Sequence, residues 1–82
     1  MLNEIRKEID MIDDEICRLF AERMKLSAKV GDYKREHNLP VLNAARESEI
    51  IARLTENQPA GFAENIKTLF NVIFKMSQAE QK

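Results

Sequence analysis

From Leu2 to Val30 the chain advances by alternating steps of three and four residues along one stripe: Leu2, Ile5, Ile9, Ile12, Ile16, Leu19, Arg23, Leu26, Val30. A seam of that period, held for four repeats and apolar at every position but Arg23, specifies one continuous helix. The pattern predicts a helix over about residues 3–36, about 50 Å long at 1.5 Å per residue. A compact chain of 82 residues has a radius of gyration of only ~12 Å. The ends of such a helix must therefore pack on something outside the compact body, most simply a second copy of the chain. Energetics point the same way, because ordering at ~1.5 kcal/mol per residue costs on the order of 120 kcal/mol, which the burial open to so small a monomer barely offsets.

Glycine occurs only at 31 and 61 and proline only at 40 and 59, so the breaks fall in two short stretches, HNLPVLN (37–43) and ENQPAGF (56–62). Between them a second helix is expected over about residues 44–56, with Asn43 as its N-cap and Glu47, Ile50, Ile51 and Leu54 on its inward side. A third, over about 62–81, presents Ile66, Leu69, Phe70, Ile73 and Met76 on a face that continues to Ser77 and Gln81. No segment alternates with the period of a strand. The expected fold is all-α, a single domain over residues 1–82 built from three helices of which the first is much the longest.

Several function classes drop out on composition. Thirteen Lys and Arg balance fourteen Asp and Glu for a net charge of −1, which disfavours a nucleic-acid binder, and the first helix mixes acids with its bases in a way that disfavours a membrane-surface helix. One cysteine, Cys17, and one histidine, His37, supply neither a disulfide, nor a metal cluster, nor a nucleophile with its base; no metal or cofactor is expected. The N-terminal MLNEIRKEID carries acids and lacks an apolar stretch like that of a signal peptide, so a soluble, cytoplasmic chain is expected.

The informative residues are polar ones on apolar stripes. Arg23 takes a seam position, and Lys34, eleven residues on, lies only ~20° around the helix and ~16 Å along it. Ser27 and Val30 lie between them on that face. Glu47 interrupts the stripe of the second helix beside Arg46, and Ser77 and Gln81 end that of the third. Inward cations need anions. Glu47 is a candidate counter-ion within the chain, and the surplus of cations over it suggests an anionic ligand. Arg6 is a further candidate, but seventeen residues from Arg23 it lies ~25 Å along the axis and ~100° around it, so only an antiparallel partner helix could bring it to the same molecule. Plainer readings fit each residue singly: a register device or snorkelling chain for Arg23, solvated faces for Lys34 and Arg46, a fraying end for Ser77 and Gln81. Gly31, inside a helix at a cost of ~1 kcal/mol relative to Ala, points to close backbone packing or a nearby ligand.

The run IRKEIDMIDDEICRLFAERMKLSAKVGDYK (5–34) resembles the opening helix of the all-helical, type II class of chorismate mutases. That class carries Ile/Leu-Arg, here Ile5-Arg6; Ile-Asp, here Ile9-Asp10 and again Ile12-Asp13; a Leu-rich stretch ending in Glu-Arg, here Leu19 to Arg23; and Val-Gly-x-x-Lys, here Val30-Gly31 with Lys34. PVLNAARESEII (40–51) is similar to the family's Pro-Val, acidic residue, Arg-Glu segment, and the third helix to its closing helix. The resemblance implies an intertwined homodimer with two equivalent sites that rearrange chorismate to prephenate, a step of aromatic amino acid biosynthesis in the shikimate pathway. It further implies that Arg23 and the Arg6 of the second copy hold the two carboxylates, helped by Ser77. Lys34 and Gln81 would then donate to the ether oxygen. Glu47 would take the ring hydroxyl with the main chain of Asn43 nearby, Arg46 would support the site, and Val30 would pack against the ring. Asn43 stands where better-known members have Asp.

This chemistry suits an inventory of cations, one carboxylate and neutral donors. A concerted sigmatropic rearrangement needs a folded reactant, which fixing both carboxylates favours, and a donor where negative charge builds on the ether oxygen. An acceleration of ~10⁶ corresponds to ~8 kcal/mol, of which one oriented donor supplies ~3–4. Two alternatives remain open on the sequence: an isochorismate pyruvate lyase on the same scaffold, and a non-catalytic helical dimerisation or regulatory module in which the charged seam positions only set register.

Overall fold

The structure is a computed structural model that describes all of Met1–Lys82. The seam folds as expected into one helix, α1 (Leu2–Glu36), of 35 residues, and the molecule is 54 Å along its longest axis. The end of α1 is a Schellman motif. Asn38 adopts φ 56°, the left-handed conformation that Asn tolerates better than other side-chain-bearing residues. Its N–H reaches the Arg35 carbonyl (3.4 Å) and the Leu39 N–H reaches that of Lys34 (2.8 Å). Pro40 then prevents continuation.

Helix α2 (Ala44–Thr55) begins at the expected cap, where the Asn43 side chain accepts from the Arg46 N–H at 3.1 Å. It stops at Glu56, with Asn57 at φ 61° and Pro59 beyond. Helix α3 (Ala60–Gln81) starts two residues earlier than expected, at the turn that Pro59 opens. There are no strands. Helix α3 packs on both α1 and α2, which do not pack on each other.

One face differs from expectation. Of the expected face, Ile66, Phe70 and Ile73 are half-buried and Ser77 and Gln81 buried, but Leu69 and Met76 stay outside, and Phe74, at 4 % exposure the most buried apolar side chain, turns inward instead. Helix α3 is apolar around most of its circumference from Leu69 to Met76, so periodicity alone does not single out the packed side. Phe70 and Phe74 meet edge to face at 6.0 Å.

The N-terminal half of α1 packs on nothing within the chain. Every residue from Met1 to Leu19 is exposed, including Ile5, Ile9, Ile12 and Ile16. The accessible surface is 6667 Å², against about 5,000 Å² for a compact monomer of this mass. The chain thus exposes roughly 1,600 Å² more than a compact monomer would, and the seam of isoleucines is part of what it exposes.

A close backbone approach between α1 and α3 lies at the other end of α1. A Cβ on Gly31 would sit 2.6 Å from both the Cα and the carbonyl oxygen of Gln81, closer than such atoms approach. We predict that Gly31→Ala lowers stability by about 1–2 kcal/mol in urea denaturation, because overpacking outweighs the ~1 kcal/mol gained in helix propensity. Gly61→Ala, whose Cβ meets nothing within 4 Å, is the matched control and loses nothing.

Candidate active site

Helix α3 packs on both α1 and α2, and a cavity of about 340 Å³ lies among the three, lined also by Val41 and Asn43 of the loop that joins α1 to α2. Leu26, Val30, Val41, Ile50 and Phe74 supply its apolar lining. Its polar lining is Arg23, Ser27 and Lys34 from α1, Asn43 from the loop, Arg46 and Glu47 from α2, and Ser77, Gln78 and Gln81 from α3.

Helical spacing and the approach at Gly31 pair these groups rung by rung. Ser27 Oγ and Ser77 Oγ share a hydrogen bond of 2.5 Å in a buried position. One turn on, Gly31 admits the backbone of Gln81. Next, Lys34 Nζ donates to Gln81 Oε1 and to the Val41 carbonyl, each at 2.7 Å. From the outside, Arg35 Nη1 donates to the Gln81 carbonyl at 2.8 Å, which holds the last turn of α3 in place. Two of the three Lys34 protons are thereby committed and one remains. The bond from Lys34 also sets the orientation of the Gln81 amide. Only its oxygen can accept from an ammonium, so Nε2 is left as a donor with a single long contact, 3.5 Å to Ser77 Oγ.

Arg23 is the outlier in electrostatics. It is half-buried with its guanidinium 5.9 Å from the centre of the Phe74 ring, and it makes no hydrogen bond and no ion pair. Burial, and secondly repulsion from Arg46, pull its pKa below the ordinary guanidinium value. A desolvated cation facing a second cation is a standing demand for an anion. Arg46 meets its own demand at the surface, bonding Glu49 at 2.6 Å.

Of the nine residues singled out in the sequence, Arg23, Val30, Lys34, Asn43, Arg46, Glu47, Ser77 and Gln81 line this one cavity. Arg6 does not; it is exposed on the free half of α1, ~25 Å along the helix axis from Arg23. The expectation that Glu47 serves as counter-ion to the cations is corrected. Its carboxylate forms no ion pair and instead accepts from Gln78 Nε2 at 2.7 Å. Gln78 and Phe74 were not anticipated as lining residues. The signal for both is the row Phe70, Phe74, Gln78 at steps of four along α3. No three His, Cys, Asp or Glu side chains are grouped so as to hold a metal ion, and no helix is long and apolar enough to cross a membrane.

Three helices surround an apolar-backed cavity with an unpaired cation and neutral donors, an all-helical arrangement whose chemistry suits a small, oxygen-rich anion. The chain belongs to the type II chorismate mutase family, whose model, described as chorismate mutase type II, matches residues 5–82. It is similar to a chorismate mutase of Methanocaldococcus jannaschii, 35 % identical over 83 residues that cover 99 % of this chain and 84 % of that protein. A bifunctional chorismate mutase/prephenate dehydratase of Aquifex aeolicus is 49 % identical over 53 residues, 65 % of this chain but only 15 % of the longer protein. Likewise, the matched region covers 18 % of a T-protein of Haemophilus influenzae. Among solved structures, a conserved hypothetical protein from Pyrococcus furiosus superposes with a TM-score of 0.83 at 32 % identity, covering 99 % of this chain and 95 % of that one.

The unpaired state of Arg23 generates a two-sided prediction. Arg23→Leu leaves the ligand-free chain as stable or more stable, by up to ~1 kcal/mol, because a desolvated charge is removed. The same substitution abolishes the rise in melting temperature that a small cyclic dicarboxylate gives the unsubstituted protein. Thermal denaturation with and without the dicarboxylate checks both.

Proposed function

We propose that the chain is a chorismate mutase that converts chorismate to prephenate without cofactor or covalent intermediate, acting in the cytoplasm as a homodimer. The observation that carries this reading is the combination of an unpaired, desolvated Arg23 with the Lys34 and Gln81 donors in one apolar-backed cavity. That is an arrangement for holding a carboxylate at one end and an oxygen of growing negative charge at the other. In the reaction the ether C–O bond breaks while a C–C bond forms between the enolpyruvyl carbon and the ring, and no proton is transferred. The protein's work is conformational restriction and electrostatic stabilisation.

In this reading Arg23 takes one carboxylate, supported by the Ser77 hydroxyl, and Arg6 of the second copy takes the other. The remaining proton of Lys34 and the Nε2–H of Gln81 converge on the ether oxygen. Both are in place before charge develops, so they favour the transition state over the ground state. Glu47 Oε1, which has no partner within the chain, accepts from the ring hydroxyl. The side-chain oxygen of Asn43 is committed to the cap of α2, a task Asn performs as well as Asp. Its main-chain N–H is free of partners in the chain, and is the group assigned to the hydroxyl oxygen. Val30 packs against the ring, and Arg46 adds positive potential from the surface.

The dimer is supported by the surplus surface along Ile5, Ile9, Ile12 and Ile16. Were the whole surplus of roughly 1,600 Å² per chain buried between two copies, the total of about 3,200 Å² would fall within the 2,000–5,000 Å² typical of obligate homodimers. Mixing Arg6→Ala chains with Arg23→Ala chains, each inactive alone, is expected to restore activity, since a mixed dimer regains one complete site. Absence of complementation in a mixture shown to contain mixed dimers would contradict the supply of Arg6 by the second copy.

Chorismate consumption with product identification tests the activity itself. Prephenate should form, and Lys34→Ala, still folded by circular dichroism, should lose about 10²–10³-fold in kcat. Turnover of isochorismate to salicylate and pyruvate instead would assign the lyase reaction, and turnover of neither would leave a non-catalytic module.

A further inference from the structure

Glu47 is the only carboxylate lining the cavity, and it shares that lining with Arg23, Lys34 and Arg46. A flexible carboxylate among three cations would ordinarily pair with one of them. Here it does not. Gln78, reaching across from α3, donates its Nε2–H to Glu47 Oε2 at 2.7 Å, and both side chains are partly buried. Oε1 of the same carboxylate is left without a partner in the chain, and Arg23 is left without an anion.

We propose that Gln78 is a positioning residue for the rearrangement: by holding Glu47 Oε2 it presents Oε1 to the ring hydroxyl of the substrate and keeps the Glu47 carboxylate from collapsing onto Arg23. The proposal rests on the reading of the cavity as a chorismate mutase site. A neutral amide suits the task, because it donates to a carboxylate without adding another cation to the site and without neutralising the one already there. An aliphatic residue at position 78 would release Glu47. The released carboxylate would then compete with the substrate's carboxylate for Arg23, a loss of ground-state and transition-state binding alike, which raises KM more than it lowers kcat.

The test is a double-mutant cycle on the dimeric enzyme with chorismate as substrate, using Gln78→Leu, Glu47→Gln and the combination. In the otherwise unsubstituted enzyme Gln78→Leu should lower kcat/KM about tenfold, as expected for a lost hydrogen bond to a charged group, with most of the change in KM. In the Glu47→Gln background, where no carboxylate remains to collapse, it should change kcat/KM by less than about twofold. An equal loss in both backgrounds overturns the proposal, because Gln78 would then act on the substrate directly or through packing alone. No loss in either background overturns it as well. Should Gln78→Leu not fold, Gln78→Met, similar in volume to Gln and without a donor, replaces it in the same cycle. Absence of prephenate formation by the unsubstituted enzyme would be a failure of the mutase reading itself, distinguishable from failure of the Gln78 assignment because it precedes any substitution.

Discussion

The site depends on the contact between the backbone of α3 and Gly31 of α1. Only a residue without Cβ allows the Gln81 backbone to come so near, and that approach puts Ser77 on Ser27 and the Gln81 amide on Lys34. Arg35 closes the contact from the solvent side. The cost of a glycine in a helix interior, about 1 kcal/mol, is set against the ordering of a hydrogen-bonded ladder along one edge of the cavity. Of the six buried residues, Ser27, Gly31, Ser77 and Gln81 all belong to this ladder, whereas Ile50 and Phe74 alone form the buried apolar core. So small a core within one chain, beside an exposed seam of isoleucines, means that much of the apolar surface expected to stabilise the fold is still displayed.

Charge in the cavity is arranged with the same economy. Three of the polar lining groups are held by a partner within the chain that leaves one valence unused: a proton on Lys34, an N–H on Gln81, an oxygen on Glu47. Arg23 is the exception, held by packing near Phe74 and by nothing polar. A cation so placed, without an anion, contributes nothing polar to the stability of the chain. In the proposed reading, that cation is reserved for an anionic ligand rather than for the fold.

Much of this was legible in the sequence, for identifiable reasons. The first helix follows from a three-and-four period too regular to suit any other element, Asn43 from the preference of helix N-termini for a short side-chain acceptor, and Gly31 from the rarity of glycine inside such a run. What was not legible involves contacts between elements. Phe74 rather than Leu69 or Met76 faces inward because α3 is apolar around most of its circumference, and its packed side is chosen by the neighbours it meets. Glu47 was expected to face a cation because charge is visible in a sequence, whereas a neutral donor 31 residues away, Gln78, is not. Arg6 has no place in the cavity of a single chain, and the sequence could anticipate that only from the helix geometry that separates it from Arg23.

In the proposed reading the cavity binds a dianion with a carboxylate on Arg23 and an ether-type oxygen between Lys34 and Gln81. A crystal structure of the protein with a bound bicyclic ether dicarboxylate, shaped like the rearranging substrate, tests it most directly. One carboxylate is expected on Arg23, the other on Arg6 of a second copy, and the ether oxygen within hydrogen-bonding distance of Lys34 Nζ and Gln81 Nε2. A ligand bound with a carboxylate on Lys34 and its ether oxygen turned away from Gln81, or bound outside the cavity, would contradict it.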